Sequence, residues 1–177
     1  EPNQRIPLNE ELARYRLHEN HADDARYRAF LARLATPVIA RTPKGAQGLD
    51  YGCGQTPVLG QLLTESGRPT ASFDPHLHRN DALLNRTYDF LTCSEVLEHV
   101  HDPAQLLDRF VTLVRPGGVI GIMTGLIDDA GCPFADWWYR RDPTHVCFYS
   151  RATMEWIGHA RRWDVKFPVT NVVIVRS

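Results

Sequence analysis

An acid and two glycines stand close together in the segment GLDYGCGQTP, residues 48–57. Asp50, Gly52 and Gly54 have the spacing D-x-G-x-G, and they follow a short apolar run that predicts a buried strand. In open α/β sheets, ligands bind at the carboxyl ends of the strands, and a glycine-rich turn after the first strand lets the backbone approach the ligand closely. The spacing therefore predicts a ligand-binding loop.

A second acid, Asp74, ends the next predicted strand and is followed by Pro75. A carboxylate at this position can accept both hydrogen bonds from a ribose diol. A dinucleotide-binding loop would have the pattern G-x-G-x-x-G, but the third glycine position is Pro57, which has no N–H to offer a pyrophosphate. The match to a dinucleotide site is therefore poor.

The elements that must position these residues alternate between strand and helix. The pattern predicts an α/β fold with a mostly parallel sheet and one antiparallel strand near the end of the chain. Only residues 74–87 separate the second and third strands, so one parallel strand is predicted to be missing or shortened. The predicted strands are 48–51, 70–73, 88–93, 119–124, 163–167 and 172–175. The predicted helices are two segments within 9–34, then 58–66, a helix starting in SEVLEHVHDP, 104–114 and 151–160.

Composition narrows the class of protein. The 177 residues favour a single domain, and 20 Lys and Arg against 21 Asp and Glu lack the basic excess of a nucleic-acid-binding protein. The sequence has no apolar run of the roughly 18 residues that indicate a membrane span, and it does not start with a signal-peptide pattern. We therefore expect a soluble, cytoplasmic protein with no nucleic-acid or membrane partner.

Cysteine and histidine spacing predicts no metal site. The four cysteines form no C-x-x-C pair, and none of the eight histidines forms an H-x-x-x-H pair with an acid at ligand spacing. Free, mostly structural thiols are the expected state of the cysteines.

Four segments between residues 49 and 124 carry a family resemblance: LDYGCGQTP, SFDP, YDFLTCSEVLEHV and LVRPGGVIGIMT, in that order. The set resembles the class I S-adenosylmethionine-dependent methyltransferases, which have a Rossmann-like fold. The resemblance implies S-adenosylmethionine as cofactor and methyl transfer to an oxygen, nitrogen or carbon atom of a small-molecule acceptor. One departure is Thr56, which stands where the family usually has a third glycine.

The resemblance also implies cofactor contacts. Asp50 would orient the loop and help to hold the ammonium end, and Asp74 would hold the ribose hydroxyls. The loop would line the methionine part, a proline would lie near the adenine, and the end of the 88–93 strand would border the donor site. These further contacts are Gly52, Cys53, Gly54, Pro75, Ser94 and Glu95.

The segment FADWWYRRDPTHVCFYS, residues 134–150, is a candidate substrate lid because it is aromatic and basic and follows a strand end on the ligand side. His145 is the candidate general base, since imidazole titrates near neutral pH, and Tyr139 the candidate hydrogen-bonding partner of the acceptor. Trp138, Arg141 and Tyr149 are candidate substrate-binding residues. Structural alternatives stay open. His145 could cap a turn, Trp138 could plug the edge of the sheet, and Arg141 could belong to a surface ion cluster.

Much of the chain resembles small bacterial methyltransferase-domain proteins, through YRRDPTHVCFYS and RYRLHENHADDARYRAFL. Members of that group often carry a cysteine-rich, metal-binding segment upstream, and the absence of an initial Met suggests either that the native product starts earlier or that a tag or disordered head was omitted. The expected organisation is an N-terminal helical cap, 1–44, and a methyltransferase domain, 45–177, in one compact unit. The alternatives are a non-catalytic S-adenosylmethionine-binding module that serves a partner protein, and a nicotinamide oxidoreductase, which the lack of a Tyr-x-x-x-Lys pair disfavours.

Overall fold

The structure is a computed structural model that describes residues 6–7, 9–10 and 21–176. These residues form a six-stranded sheet of the strands β1 (Gly48–Tyr51), β2 (Thr70–Phe73), β3 (Tyr88–Ser94), β4 (Val114–Met123), β5 (Asp164–Val169) and β6 (Val172–Arg176). The strand order is β2-β1-β3-β4-β6-β5. β1 to β4 are mutually parallel, and β6 is antiparallel to both of its neighbours. The predicted α/β fold with one antiparallel strand is confirmed.

Within residues 21–176, four α-helices cover the two faces of this sheet: α1 (Ala25–Ile39), α2 (Val58–Glu65), α3 (Pro103–Leu113) and α4 (Arg151–Arg161). Side chains of β4 alternate between the two faces, as the period of two in a strand requires. Val119 and Met123 share a buried cluster with α1 and α2, whereas Ile120 and Ile122 share one with α3 and α4. The result is a three-layer sandwich with an apolar core on each side of the sheet.

The stretch between β2 and β3, residues 74–87, contains no strand of the sheet. It holds one isolated bridge, between Asp74 and His78, and a short 3₁₀ helix at Asp81–Asn85. The prediction that one parallel strand is missing is confirmed, because fourteen residues do not suffice for a helix, a strand and their loops.

Two predicted boundaries were wrong. The segment after β3 does not start an α-helix: it forms a 3₁₀ turn at Leu97–His99, and α3 begins only at Pro103. Asp102 is the N-cap, and its Oδ1 accepts a hydrogen bond from the Gln105 N–H at 2.9 Å. β4 pairs with β3 from Val114 onward, and residues 115–118 bulge out before the regular pairing resumes.

The N-terminal helices are described only in part. The first predicted helical segment falls mostly on residues 11–20, outside the described residues, and the second is α1, capped by Asp24. Leu34 and Val38 of α1 are fully buried against the sheet, so this helix is a layer of the fold. The domain division at residue 44 stays a prediction. No α-helix among the described residues is long and apolar enough to cross a membrane.

We predict that Leu34→Ala destabilises the protein by about 2–5 kcal/mol, because it leaves a cavity between α1 and the sheet. Thr36→Ala, at an exposed position of the same helix, is the matched control and should leave stability within about 0.5 kcal/mol of the wild type. Urea unfolding followed by circular dichroism measures both. Equal midpoints for the two variants would show that α1 is not a layer of the cooperative unit.

Candidate active site

A cavity of about 470 Å³ opens at the carboxyl ends of β1, β2 and β3. This is the edge at which open α/β sheets bind their ligands. Its walls come from the loops after these three strands, from α1 and from the segment after β4. The described lining residues are Tyr27, Phe30, Leu31, Asp50, Gly52, Cys53, Gly54, Gln55, Thr56, Val58, Leu59, Asp74, Pro75, His76, Leu77, Ser94, Glu95, Val96, Glu98, His99, Val100, Trp138, Tyr139, Asp142 and His145.

The loop after β1 bends in a way that only glycine adopts without strain. Gly52 and Gly54 have φ angles of 78° and 66°, in the left-handed region. A Cβ atom on Gly52 would lie 2.3 Å from Cγ2 of Val96, whereas a Cβ on Gly54 would meet nothing within 4 Å. The first glycine thus permits close packing, and the second leaves bare backbone at the cavity wall.

Asp74 fastens this loop to the end of β2. Its Oδ2 accepts a hydrogen bond from the Gly54 N–H at 3.1 Å, and its Oδ1 accepts from the N–H groups of His76 and Leu77, each at 2.9 Å. An ionised carboxylate has about four lone-pair directions, so these three bonds leave capacity for a ligand hydroxyl. Asp74 is therefore both a structural clasp of the loop and a polar group in the cavity wall.

Asp50 lies beneath the loop with its side chain almost fully buried. Burial raises the pKa of this carboxyl from 3.8 to about 7, although the hydrogen bonds from the Thr92 hydroxyl and the Gly60 N–H oppose the rise. The distance from Thr92 Oγ1 to Asp50 Oδ1 is 2.9 Å. The cavity therefore has a carboxyl in its floor that changes charge near neutral pH.

Two further carboxyls, Glu95 and Glu98, lie at the end of β3. Glu95 has a φ of 52°, a strained value for a residue with a side chain, and such strain is typical of functional sites. Burial, and then the charge of Glu98, raise the pKa of Glu95 to about 8. Burial also raises the pKa of Glu98, whose side chain has no exposed surface.

Tyr139 contacts this acidic pair. Its hydroxyl accepts a hydrogen bond from the Gly125 N–H at 3.1 Å and lies 3.4 Å from Oε2 of Glu95, to which it donates. Burial and the charges of the two glutamates raise the pKa of Tyr139 far above 10. The phenol therefore stays protonated and acts as a hydrogen-bond donor, not as a base.

The predicted lid segment is fastened to the turn after β3. The Glu98 carbonyl accepts hydrogen bonds from the N–H groups of Val146 and Cys147, at 2.8 and 3.0 Å. The Tyr149 hydroxyl donates to the Leu97 carbonyl at 3.1 Å. These bonds bring residues about 50 positions apart in the chain into contact, and they place His145 beside the turn.

The turn and the lid each contribute an imidazole. The rings of His99 and His145 are 4.7 Å apart, centroid to centroid. His145 Nδ1 lies 2.7 Å from the Tyr139 carbonyl and His99 Nδ1 3.2 Å from the Thr144 carbonyl. Burial, and next the nearby His99, lower the pKa of His145, so its ring is neutral at pH 7.

The structure brings most of the predicted site residues together in this cavity. All eight predicted cofactor contacts line it, and so do Trp138, Tyr139 and His145. Arg141 and Tyr149 do not: the first is exposed, and the second is buried with its hydroxyl on the Leu97 carbonyl. Tyr149 is thus an anchor of the lid, and the predicted substrate-binding role of both residues stays a prediction.

Sequence reasoning missed several lining residues. Glu98 was not singled out, whereas His99 was predicted either to approach the methyl group or to lie at a helix start. Both residues line the cavity because Leu97–His99 forms a 3₁₀ turn instead of the predicted helix. Tyr27 and Phe30 come from α1, where their spacing indicated only an apolar helix face. Asp142 comes from the lid, in which only aromatic and basic residues were predicted to contact the substrate.

The cavity is strongly acidic. Five described lining residues are acidic, and no described lining residue is a lysine or an arginine: Asp50, Asp74, Glu95, Glu98 and Asp142. Buried carboxylates without cations are costly, and a ligand that carries positive charge lowers that cost. A pyrophosphate would add further negative charge, so the electrostatics disfavour a dinucleotide.

The comparisons with known proteins agree with this site. A family model described as "Methyltransferase domain" matches residues 18–165. The ubiquinone biosynthesis O-methyltransferase of Proteus mirabilis is 33% identical over 86 residues, 49% of this chain and 35% of that protein. The enzyme of the same name from Colwellia psychrerythraea is 53% identical over 87 residues, again 49% of this chain and 35% of the relative. The chain thus spans about a third of the length of these curated relatives.

Solved structures share the fold. A SAM-dependent methyltransferase from Archaeoglobus fulgidus superposes with a TM-score of 0.64 at 18% identity, over 84% of this chain and 93% of the other. The DhpI–SAM–HEP complex superposes with a TM-score of 0.61 at 16% identity, over 96% of both chains.

Fold and site together define a Rossmann-like class I methyltransferase architecture. The chain belongs to the methyltransferase domain family, whose methyl donor is S-adenosylmethionine.

We predict that affinity for S-adenosylmethionine depends on the ionisation of Asp50. The donor is cationic and binds best to the carboxylate, so affinity falls as the pH drops below the pKa of about 7. Calorimetric titrations should give a dissociation constant several-fold higher at about pH 6 than at about pH 8. In the isosteric variant Asp50→Asn, the affinity should depend clearly less on pH. Because the same donor is used with both proteins, its own titration affects both profiles equally. Parallel pH profiles would contradict the assignment.

Proposed function

We propose that the protein transfers the methyl group of S-adenosylmethionine to a hydroxyl oxygen of a small, largely planar acceptor. The observation that carries the proposal is the acidic cavity beside a bare glycine loop, which lacks cationic side chains among its described lining residues. Such a cavity suits a ligand that has a sulfonium and an ammonium group and no phosphate.

The residues present fit this donor. The backbone at Gly54 would face its methionine part, and Asp50 below the loop would favour its ammonium group. Asp74 keeps acceptor capacity for the ribose hydroxyls, beside Pro75 near the adenine. Glu95, strained and half-buried at the end of β3, would lie nearest to positive charge at the reacting centre.

The remaining part of the cavity suits an aromatic acceptor. Trp138 lines it although 71% of its surface is exposed, and Tyr27 and Phe30 approach from α1. Exposed tryptophan at a cavity mouth offers a flat apolar surface on which a planar ring stacks. The choice of oxygen as the acceptor atom is supported by the relatives that are named O-methyltransferases.

Two lid residues have defined roles in this proposal. When bound, S-adenosylmethionine supplies a methyl carbon that bonds to the acceptor oxygen while the electron pair of the C–S bond goes to sulfur. His145, neutral at pH 7, takes the proton of the acceptor hydroxyl. Tyr139 holds Glu95 in place as a hydrogen-bond donor. The enclosing lid and α1 exclude water and orient the acceptor, which is the main demand of this displacement.

The test is the formation of S-adenosylhomocysteine, measured by mass spectrometry, when the chain is incubated with S-adenosylmethionine and a library of hydroxylated aromatic compounds. We expect turnover with a subset of the phenolic members and none with their methyl ethers, which are the matched controls. Tight donor binding without turnover on any acceptor would favour the non-catalytic module. Absence of donor binding would overturn the proposal.

Asp74→Ala should weaken donor binding by about 1–3 kcal/mol, the scale of losing hydrogen bonds to a charged group. Asp108→Ala removes an exposed acid on α3 and is the matched control, with affinity expected to stay at the wild-type value. Isothermal titration calorimetry with S-adenosylhomocysteine measures both variants. Unchanged affinity in Asp74→Ala would place the ribose elsewhere.

A further inference from the structure

Three potential metal ligands meet in the cavity wall, although the sequence shows no metal-binding motif. Glu98, His99 and His145 each offer one ligand atom, and these atoms lie within 4.8 Å of one another. Two of the residues come from the turn after β3 and the third from the lid. The hydrogen bonds of the Glu98 carbonyl to Val146 and Cys147 hold the two segments together.

The carboxylate of Glu98 is only half satisfied. Its Oε2 accepts a hydrogen bond from the Thr124 hydroxyl at 2.7 Å, whereas its Oε1 has no hydrogen-bond partner among the described residues. The side chain is fully buried, and its ion-pair contact among the described residues is with His99 rather than with a lysine or an arginine. A buried carboxylate oxygen without a hydrogen bond is costly, and a bound cation removes that cost.

Both imidazoles are oriented as metal ligands usually are. A carbonyl oxygen can only accept, so the Nδ1 atoms that face the carbonyls of Tyr139 and Thr144 carry the protons. In the neutral rings the Nε2 atoms then hold the lone pairs, and His99 Nε2 lies 3.9 Å from Glu98 Oε1. A backbone carbonyl behind the second ring nitrogen is a common support of metal-bound histidine, because it fixes the tautomer and the ring orientation.

The ligand types define the class of ion. One carboxylate and two imidazoles are the set of catalytic zinc sites and of non-haem iron(II) sites, which keep positions open for substrate. Magnesium and calcium prefer sets made of oxygen alone. Ligand atoms around tetrahedral zinc are roughly 3.3 Å apart, so the side chains need to draw together by at most about 1.5 Å.

We propose that Glu98, His99 and His145 bind a divalent transition-metal ion, of which zinc is the representative, in the wall of the donor cavity. The ion would bind Oε1 of Glu98, which has no hydrogen-bond partner among the described residues, and would keep an open coordination position toward the cavity.

The role of this ion rests on the proposed function, although its binding does not. At the open position it would take the acceptor hydroxyl oxygen and lower the pKa of that group, and the released proton would pass to water. His145 would then serve as a ligand, and the metal ion would take over the activation that we assigned above to the imidazole.

The experiment uses the chain freed of metal by chelation and dialysis. Cobalt(II), which has visible absorption bands that report its coordination, is titrated in, and zinc is then used to displace it. We expect one saturable site per chain. Glu98→Gln and His145→Ala should each weaken cobalt binding at least about tenfold, since even the loss of an outer hydrogen bond to a ligand has that effect. His101→Ala, exposed and outside the cavity, is the matched control and should bind as the wild type does.

Circular dichroism and S-adenosylhomocysteine binding are measured on every sample. His145→Ala, in the lid, keeps the test decisive should Glu98→Gln fail to fold. Absence of cobalt binding, or equal affinity in wild type, a folded ligand variant and His101→Ala, would overturn the metal site while leaving the proposed function intact. Metal binding without donor binding would contradict the proposed function alone.

In turnover assays on a phenolic acceptor, zinc and not magnesium should restore activity to the chelated enzyme. Full activity without metal would contradict the role of the ion in activating the acceptor hydroxyl.

Discussion

Several carboxyl groups are buried or half-buried at one edge of the sheet, and no lysine or arginine accompanies them among the described lining residues. Asp50, Glu95 and Glu98 all have raised pKa values, and burial is the largest cause in each case. A fold does not retain such a cluster for stability, because a buried charge without a partner is costly. A cationic ligand would offset this cost, and both the sulfonium donor and the divalent metal ion that we propose carry positive charge.

The surrounding elements serve to hold this cluster. Gly52 packs its backbone against Val96 so that the loop after β1 can approach the cavity, and Asp74 ties that loop to the end of β2. The lid donates hydrogen bonds to the carbonyls of the turn after β3, and Tyr149 anchors the end of the lid in the core. The sandwich therefore provides a rigid frame, and the chemistry sits on loops fastened to one another.

Local sequence patterns predicted much of this arrangement. β1 and β2 were predicted to the residue, since each is a short buried run ended by glycine or by Asp-Pro. The glycine loop and Asp74 were predicted because they stand directly at strand ends, and Glu95 was predicted from the family resemblance. The convergence of Glu98 and His99 with His145 was not found, because it depends on pairing between segments nearly 50 residues apart. The buried position of Tyr149 was not predicted, because aromatic composition does not tell which ring faces the cavity and which the core.

The most direct test of the acidic cavity is a crystal structure of the chain with sinefungin, an analogue that carries a charged amine in place of the methyl sulfonium. We expect the adenosine part beside Asp74 and Pro75, with the amine within about 3 Å of a carboxylate of Glu95 or Glu98. An analogue bound elsewhere, or seated in the cavity with its amine turned away from both carboxylates, would contradict it.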